Sequence, residues 1–233
     1  VKYAAYLGLA LVLGACNNLN LLDKLENPGA SGDSGNKGPI KLYAFVSSVT
    51  PQGDMKISGA DMHPNCAGQT AFAAADCYCQ NRAIETGLMT PGTKRFVAWL
   101  SGSSVDMTCR IQDIPAAQAC AFPAKDVNWY NKQEQLIADS YTRLFTIGGA
   151  LINPLVITDT GGAATNGANV WSSTQGNGLT SGTLAANHCQ DWTLNTSQTA
   201  ATGSINGAGS TWSALASASC TVTAYFYCFG IPN

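Results

Sequence analysis

Nine cysteines and two histidines are the side chains here suited to redox, metal or acid–base chemistry near neutral pH. Cys16 stands apart near the start, and Cys66, Cys77, Cys79, Cys109, Cys120, Cys189, Cys220 and Cys228 fall in the body. Eight is an even number, and in an oxidising compartment such a set reads as four disulfides. Metal binding is the rival use of thiols. Cys77 and Cys79 have one residue between them, however, whereas zinc knuckles space their ligands by two to four. His63 and His188 are the only histidines and there is no CxxC pair, so no metal site is expected. Either histidine could serve as a base. His188 adjoins Cys189, though, and a cysteine held in a disulfide offers no thiolate. No Gly-x-Ser-x-Gly elbow occurs, and Gly161-Gly162 lacks the Lys-Ser/Thr of a phosphate loop. No catalytic residue is assigned and no cofactor is expected; the chain reads as a non-enzyme.

Cys16 carries a different chemistry. Tyr3 to Gly14 is apolar, Lys2 precedes it, and Leu13-Gly14-Ala15-Cys16 closes it before the composition turns polar. Basic start, short apolar stretch and small residues at a cut are the layout of a secretory signal peptide. About twelve apolar residues span only ~18 Å as a helix, too short for a ~30 Å hydrocarbon core. A core helix would show polar positions every third or fourth residue, and this run has none. The closing tetrad resembles the bacterial lipobox, which implies that the Cys16 thiol is acylated and becomes the first residue of the mature chain. Residues 1–15 are then a signal peptide, 16–39 a lipidated cysteine with a tether, and 40–233 the folded domain. The tether reading rests on Pro28-Gly29, Ser31-Gly32-Asp33-Ser34-Gly35 and Lys37-Gly38-Pro39, all turn or coil signals.

Only 11% of residues are charged and the net charge is −2, against roughly 25% charged in ordinary globular proteins. The eight Lys and four Arg form no basic run. A nucleic-acid partner is excluded, because counterion displacement needs a positive stripe. The surface is expected to be neutral and rich in hydrogen-bonding groups.

The elements that must position these residues follow from propensity. Ile40 to Val49 is rich in β-branched and aromatic residues and predicts a strand, followed by a turn at Pro51 to Asp54. Ala71 to Thr86 predicts a helix, with Gly87 as its stop. Phe96 to Leu100 predicts a short buried strand, Asp139 to Phe145 a short helix, and Leu155 to Ile157 a strand entering the Asp159 to Gly162 turn. Thr221 to Phe229 predicts the strongest strand of the chain. Asn166 to Gly182 and Asn195 to Ser213 are Gly, Asn, Ser and Thr-rich, and read as a folded, loop-rich half because Trp171, Trp192 and Trp212 lie in or between them.

Several pieces then align. Ala75-Asp76, Cys79-Gln80-Asn81-Arg82-Ala83, Gly87-Leu88 and Phe96-Val97-Ala98-Trp99-Leu100-Ser101 resemble the first helix and following strand of endostatin, the collagen-derived domain. Asn169-Val170-Trp171, Gly176-Asn177-Gly178, Cys189-Gln190-Asp191-Trp192 and the Ser219-Cys220 to Cys228 segment resemble its second half. With the lipobox, the set is similar to the endostatin-like surface lipoproteins of pathogenic leptospires, a domain-of-unknown-function family. The resemblance implies an α+β, C-type lectin-like fold, disulfide-stapled and loop-rich. It also implies nested bridges, Cys79 with Cys228 and Cys189 with Cys220, worth about 5 and about 3.7 kcal/mol by loop entropy taken singly. Cys66, Cys77, Cys109 and Cys120 have no counterpart; local pairs Cys66–Cys77 and Cys109–Cys120 are expected, with other pairings open. Endostatin's zinc histidines and arginine clusters have no match around Ile40 to Phe45 or at the isolated Arg82, Arg95, Arg110 and Arg143. Asn187, Gln190 and Asp191 flank Cys189 without a Glu-Pro-Asn or Trp-Asn-Asp triplet, so Asp191 is expected to cap or face solvent rather than bind calcium.

The resemblance implies an outer-membrane lipoprotein at the cell surface, an adhesin for host extracellular-matrix proteins such as laminin and fibronectin, with complement factor H or plasminogen as further partners. A glycan-binding lectin and a structural envelope protein are the alternatives. The expected binding surfaces are the Thr158 to Gly182 and Asn195 to Ser210 loops, with Trp171 as a candidate aromatic anchor; the pair Trp129 and Tyr130 is a second candidate patch, with burial in the core as its alternative.

Overall fold

The computed structural model describes residues 38–56, 62–114, 120–121, 126–145, 149–180 and 188–233. The apolar run, Cys16, the tether as far as Lys37, and Asn187 lie outside the described residues. Gly38–Asn233 forms one unit of mixed α and β structure, with a large sheet and few helices.

Eight strands make the sheet: β1 (Ile40–Val46), β2 (Thr93–Ala98), β3 (Val127–Tyr130), β4 (Leu136–Ala138), β5 (Asn169–Trp171), β6 (Thr199–Ser204), β7 (Ala216–Ser219) and β8 (Tyr225–Pro232). The order is β4-β3-β1-β8-β5-β6-β7, with β2 also on β8. The last strand is therefore the centre. It pairs antiparallel with β1 (Phe45 opposite Cys228) and β2 (Val97 opposite Phe229), and parallel with β5 (Trp171 opposite Phe226). Phe226 to Ile231 are buried throughout, as a strand covered on both faces requires.

Helix α1 (Ala71–Glu85) lies on one face. Its buried positions Ala74, Ala75, Tyr78, Cys79 and Ala83 fall on a single helical stripe, and the small side chains let it approach Phe45, Phe96 and Phe226 closely. Gly87, at φ 74°, supplies the left-handed residue that ends it. The opposite face carries the larger core, where the Trp99 ring sits 5.5 Å from Phe145, 4.7 Å from Trp212 and 5.0 Å from Phe229. Short helices α2 (Met107–Arg110) and α3 (Tyr141–Phe145) contribute Met107, Leu144 and Phe145 to it.

The four bridges are Cys66–Cys77, Cys79–Cys228, Cys109–Cys120 and Cys189–Cys220, the pairs expected. Cys79–Cys228 ties α1 to the central strand, and Cys66–Cys77 ties the turn before α1 to its second helical turn.

Several expected boundaries shift, for identifiable reasons. β1 stops at Val46, because the Ser47 hydroxyl donates to the Val49 carbonyl at 2.7 Å and bends the chain. β8 begins at Tyr225 rather than Thr221; Cys220, fixed by its bridge, opens a turn, and the Ala224 N–H turns away to the Pro51 carbonyl. Leu155 to Ile157 is not a strand and makes only single bridges, Val46 with Thr158 and Ile157 with Ala163. The two segments read as loop-rich hold β5 and β6, and Gly203 explains part of this. A Cβ there would stand 1.8 Å from the Trp212 carbonyl oxygen, so glycine alone lets β6 lie against the Trp212 turn.

Candidate functional site

All five tryptophans are buried, and each indole N–H finds an acceptor. Trp99 donates to the Ser213 hydroxyl at 2.8 Å, Trp129 to the Gly230 carbonyl at 2.8 Å, Trp171 to Pro51 at 3.0 Å, Trp192 to Ser101 at 2.9 Å, and Trp212 to Gly149. Trp129 and Trp171, candidate surface anchors by sequence, are core residues instead. Both are fully enclosed, because a ring of that size contributes most inside and its one polar atom is satisfied by a loop carbonyl. Tyr130 remains half-buried. Lys41 places its ammonium 5.2 Å from the centroids of both the Tyr43 and Tyr130 rings, and Glu134 accepts from Lys41 and from the Tyr43 hydroxyl. The expected loop surfaces also shrink. Ala200, Ala201 and Thr202 are buried inside β6, and Trp171 to Thr174 are buried after β5.

His188 and Asp191 serve structure. Cys189, Gln190, Asp191 and Trp192 occupy successive left-handed conformations, φ 50°, 51°, 55° and 63°. Such residues are costly at about 1–2 kcal/mol each. Local contacts hold them. The His188 Nδ1 accepts the Asp191 N–H at 2.9 Å, and the Asp191 carboxylate accepts the Ser103 N–H and hydroxyl at 2.6 Å each. Asp191 thus caps the neighbouring 102–104 loop.

His63 leads elsewhere. It sits in the 3-10 turn Pro64–Cys66 as its cap, with Nδ1 accepting the Asn65 N–H at 3.2 Å. Its Nε2 therefore carries the proton and donates to Glu85 at 2.9 Å. The Arg82 guanidinium bridges Glu85 (2.6 Å) and Asp159 (2.5 Å). Asp159 is fully buried, and also accepts the Ser48 hydroxyl at 3.2 Å and the Tyr78 hydroxyl at 3.4 Å. Ser48, His63, Tyr78, Arg82 and Glu85 line a cavity of about 490 Å³ together with Val49, Met62, Pro64 and Asn65. His63 next to Glu85, and then Arg82, hold the Glu85 carboxyl below the usual range, so it is an acceptor at neutral pH. Burial, and then the Asp159 charge, push the Tyr78 hydroxyl up to about 12, so it stays protonated.

Sequence reasoning flagged His63 but missed its partners. Ser48, Tyr78, Arg82, Glu85 and Asp159 form no local motif; Ser48 and Asp159 are 111 residues apart and meet only because 157–159 runs beside the end of β1. Among the described residues, no three His, Cys, Asp or Glu side chains converge as metal ligands, and no helix is long and apolar enough to cross a membrane. No protein-family model matches the chain, and no curated protein matches it.

Proposed function

We propose that this protein is a lipid-anchored surface lipoprotein of a bacterial outer membrane, with a C-type lectin-like, endostatin-like domain that acts as an adhesin for host extracellular-matrix proteins. The observation that carries the reading is the four-bridge framework joined to the lipobox-like tetrad. Those bridges form in an oxidising compartment, where such a leader delivers a chain. The framework supports display, because it fixes the surface against the ordering cost of binding.

The contact surface in this reading is the β7 edge rather than the loops first expected. β7 ends the sheet as Ala216-Ser217-Ala218-Ser219, and Leu215 (55% exposed) and Val222 (42% exposed) stand beyond its two ends. From Thr160 to Asn233, Asp191 is the only Asp, Glu, Lys or Arg. An edge without charge or proline is open to another chain.

The test is binding of the oxidised Asn17–Asn233 chain to immobilised laminin, fibronectin, factor H and plasminogen. Saturable binding that weakens about tenfold in a Leu215→Asp, Val222→Asp double variant is the expected result. Absence of saturable binding to all four rejects the adhesin reading. Mass spectrometry of native material checks the anchor, through acylation of Cys16.

A further inference from the structure

We propose that the cavity between the end of β1, the Pro64–Cys66 turn and α1 is a metal-independent binding site for a neutral saccharide. This inference stands apart from the adhesin reading, which places its contact at β7.

Charge balance selects the ligand class. Arg82 lies between two carboxylates, Glu85 and Asp159, and the Lys132 ammonium donates to the Asp159 carbonyl at 2.9 Å. Within the lining the Arg82 guanidinium offsets the Glu85 carboxylate, and the buried Asp159 lies behind Arg82. An anionic ligand would meet the Glu85 carboxylate, which is 43% exposed, and Arg82 is already engaged by two acidic partners. A divalent cation would find Glu85 as the one carboxylate in the cavity lining, and that carboxylate is already paired with Arg82. Unspent hydrogen-bonding capacity remains without net charge. The Glu85 carboxylate accepts once at each oxygen, from His63 and Arg82, leaving a second lone pair on each. Arg82 donates through Nε and one Nη1 hydrogen of its five N–H groups. The Asn65 side-chain amide donates to Asn81 at 3.0 Å.

Planar acceptors beside planar donors match adjacent hydroxyls, each of which donates once and accepts. Val49, Met62 and Pro64 supply an apolar wall for the C–H face of a sugar ring. About 490 Å³ falls in the ordinary range for small-ligand pockets. The groups are also held in advance. The Cys66–Cys77 bridge locks the turn onto α1, Cys79–Cys228 locks α1 onto β8, and the buried Asp159 fixes Arg82.

The experiment uses the full oxidised chain. It is screened on a panel of immobilised neutral, sialylated and sulfated oligosaccharides, and the best neutral probe is then titrated by calorimetry with and without EDTA. The expected result is saturable binding of a neutral probe that EDTA leaves unchanged. Glu85→Gln should weaken it about tenfold, the scale of one charge-assisted hydrogen bond. Asn65→Ala should weaken it several-fold, and Leu215→Asp should not affect it. Both cavity positions are exposed, so the variants should keep the wild-type melting temperature. The proposal is overturned by no neutral binding up to about 10 mM, by binding confined to charged probes, by loss in EDTA, or by full affinity in both cavity variants. Loss of matrix-protein binding in the β7 variant with saccharide binding intact separates this site from the adhesin surface.

Discussion

The chain before Thr160 and the chain after it hold their irregular segments by different chemistry. In the first region, ions satisfy the backbone. Arg110 donates to the carbonyls of Ala98 (3.0 Å) and Leu100 (2.6 Å) and to the Asp76 carboxylate, while Asp76 accepts the Ala98 N–H and Gln80 the Phe96 N–H. These contacts close the outer edge of β2 with side chains from α1 and α2. In the second region, neutral groups take most of this role, beside the Asp191 and Asp106 carboxylates that accept from Ser103 and Thr180. Trp212 donates to Gly149, Ser213 joins Trp99 to the Thr174 carbonyl, Ser172 donates to Ser213, and the Ser101 and Thr174 hydroxyls meet at 2.9 Å. A low charge content is therefore no sign of disorder here. Indoles and hydroxyls can satisfy buried carbonyls as ions do, without the desolvation cost of a charge.

The comparison breaks if the neutral network is dispensable, so the largest effect is expected there. Trp212→Ala removes a buried indole, a ring contact with Trp99 and the bond to Gly149, and should cost about 3–5 kcal/mol in denaturant unfolding. A loss below about 1 kcal/mol would show that the second region is not held this way. Replacing Cys79 and Cys228 together by alanine should cost about 2–4 kcal/mol, since that bridge joins the ion-held helix to the central strand.

Alkaline pH sharpens the contrast. Tyr78 has a folded-state value of about 12 against 10.0 unperturbed. Because the folded value is the higher one, its contribution is complete below pH 10 and is lost as pH rises toward 12, about 2–3 kcal/mol in all. Melting temperature followed from pH 9 to 12 should fall, and tyrosinate absorbance should show a late-titrating group. A flat profile would mean that Tyr78 is reached by solvent. The smallest effect belongs to exposed pairs. Arg143→Ala opens the partly exposed pair with Asp139 and should cost less than about 1 kcal/mol, and less still in 1 M salt. Salt should leave the Trp212→Ala loss unchanged.

Some of this was legible in the chain. Ala71 to Thr86 read as a helix because alanine-rich propensity and a terminal Gly87 are local signals, and β1 read from its branched and aromatic residues for the same reason. An even set of eight body cysteines signalled four bridges. The polar second region was legible only as folded, from its tryptophans. That Val170, Ala200 and Ala201 sit in strands followed from β8, whose pairing with β5 extends the sheet through β6 to β7. Strand propensity in Thr-Ala-Ala-Thr-Gly-Ser is weak, and pairing with distant partners overrode it. The cavity was hidden altogether. His63, Arg82 and Asp159 became neighbours only when bridges and sheet register brought three separate segments together. Local propensity acts over a few residues, so the sequence alone determined the helix, the first strand and the cysteine set. Which side chains share a surface depends on long-range pairing, and only the tertiary structure decided that.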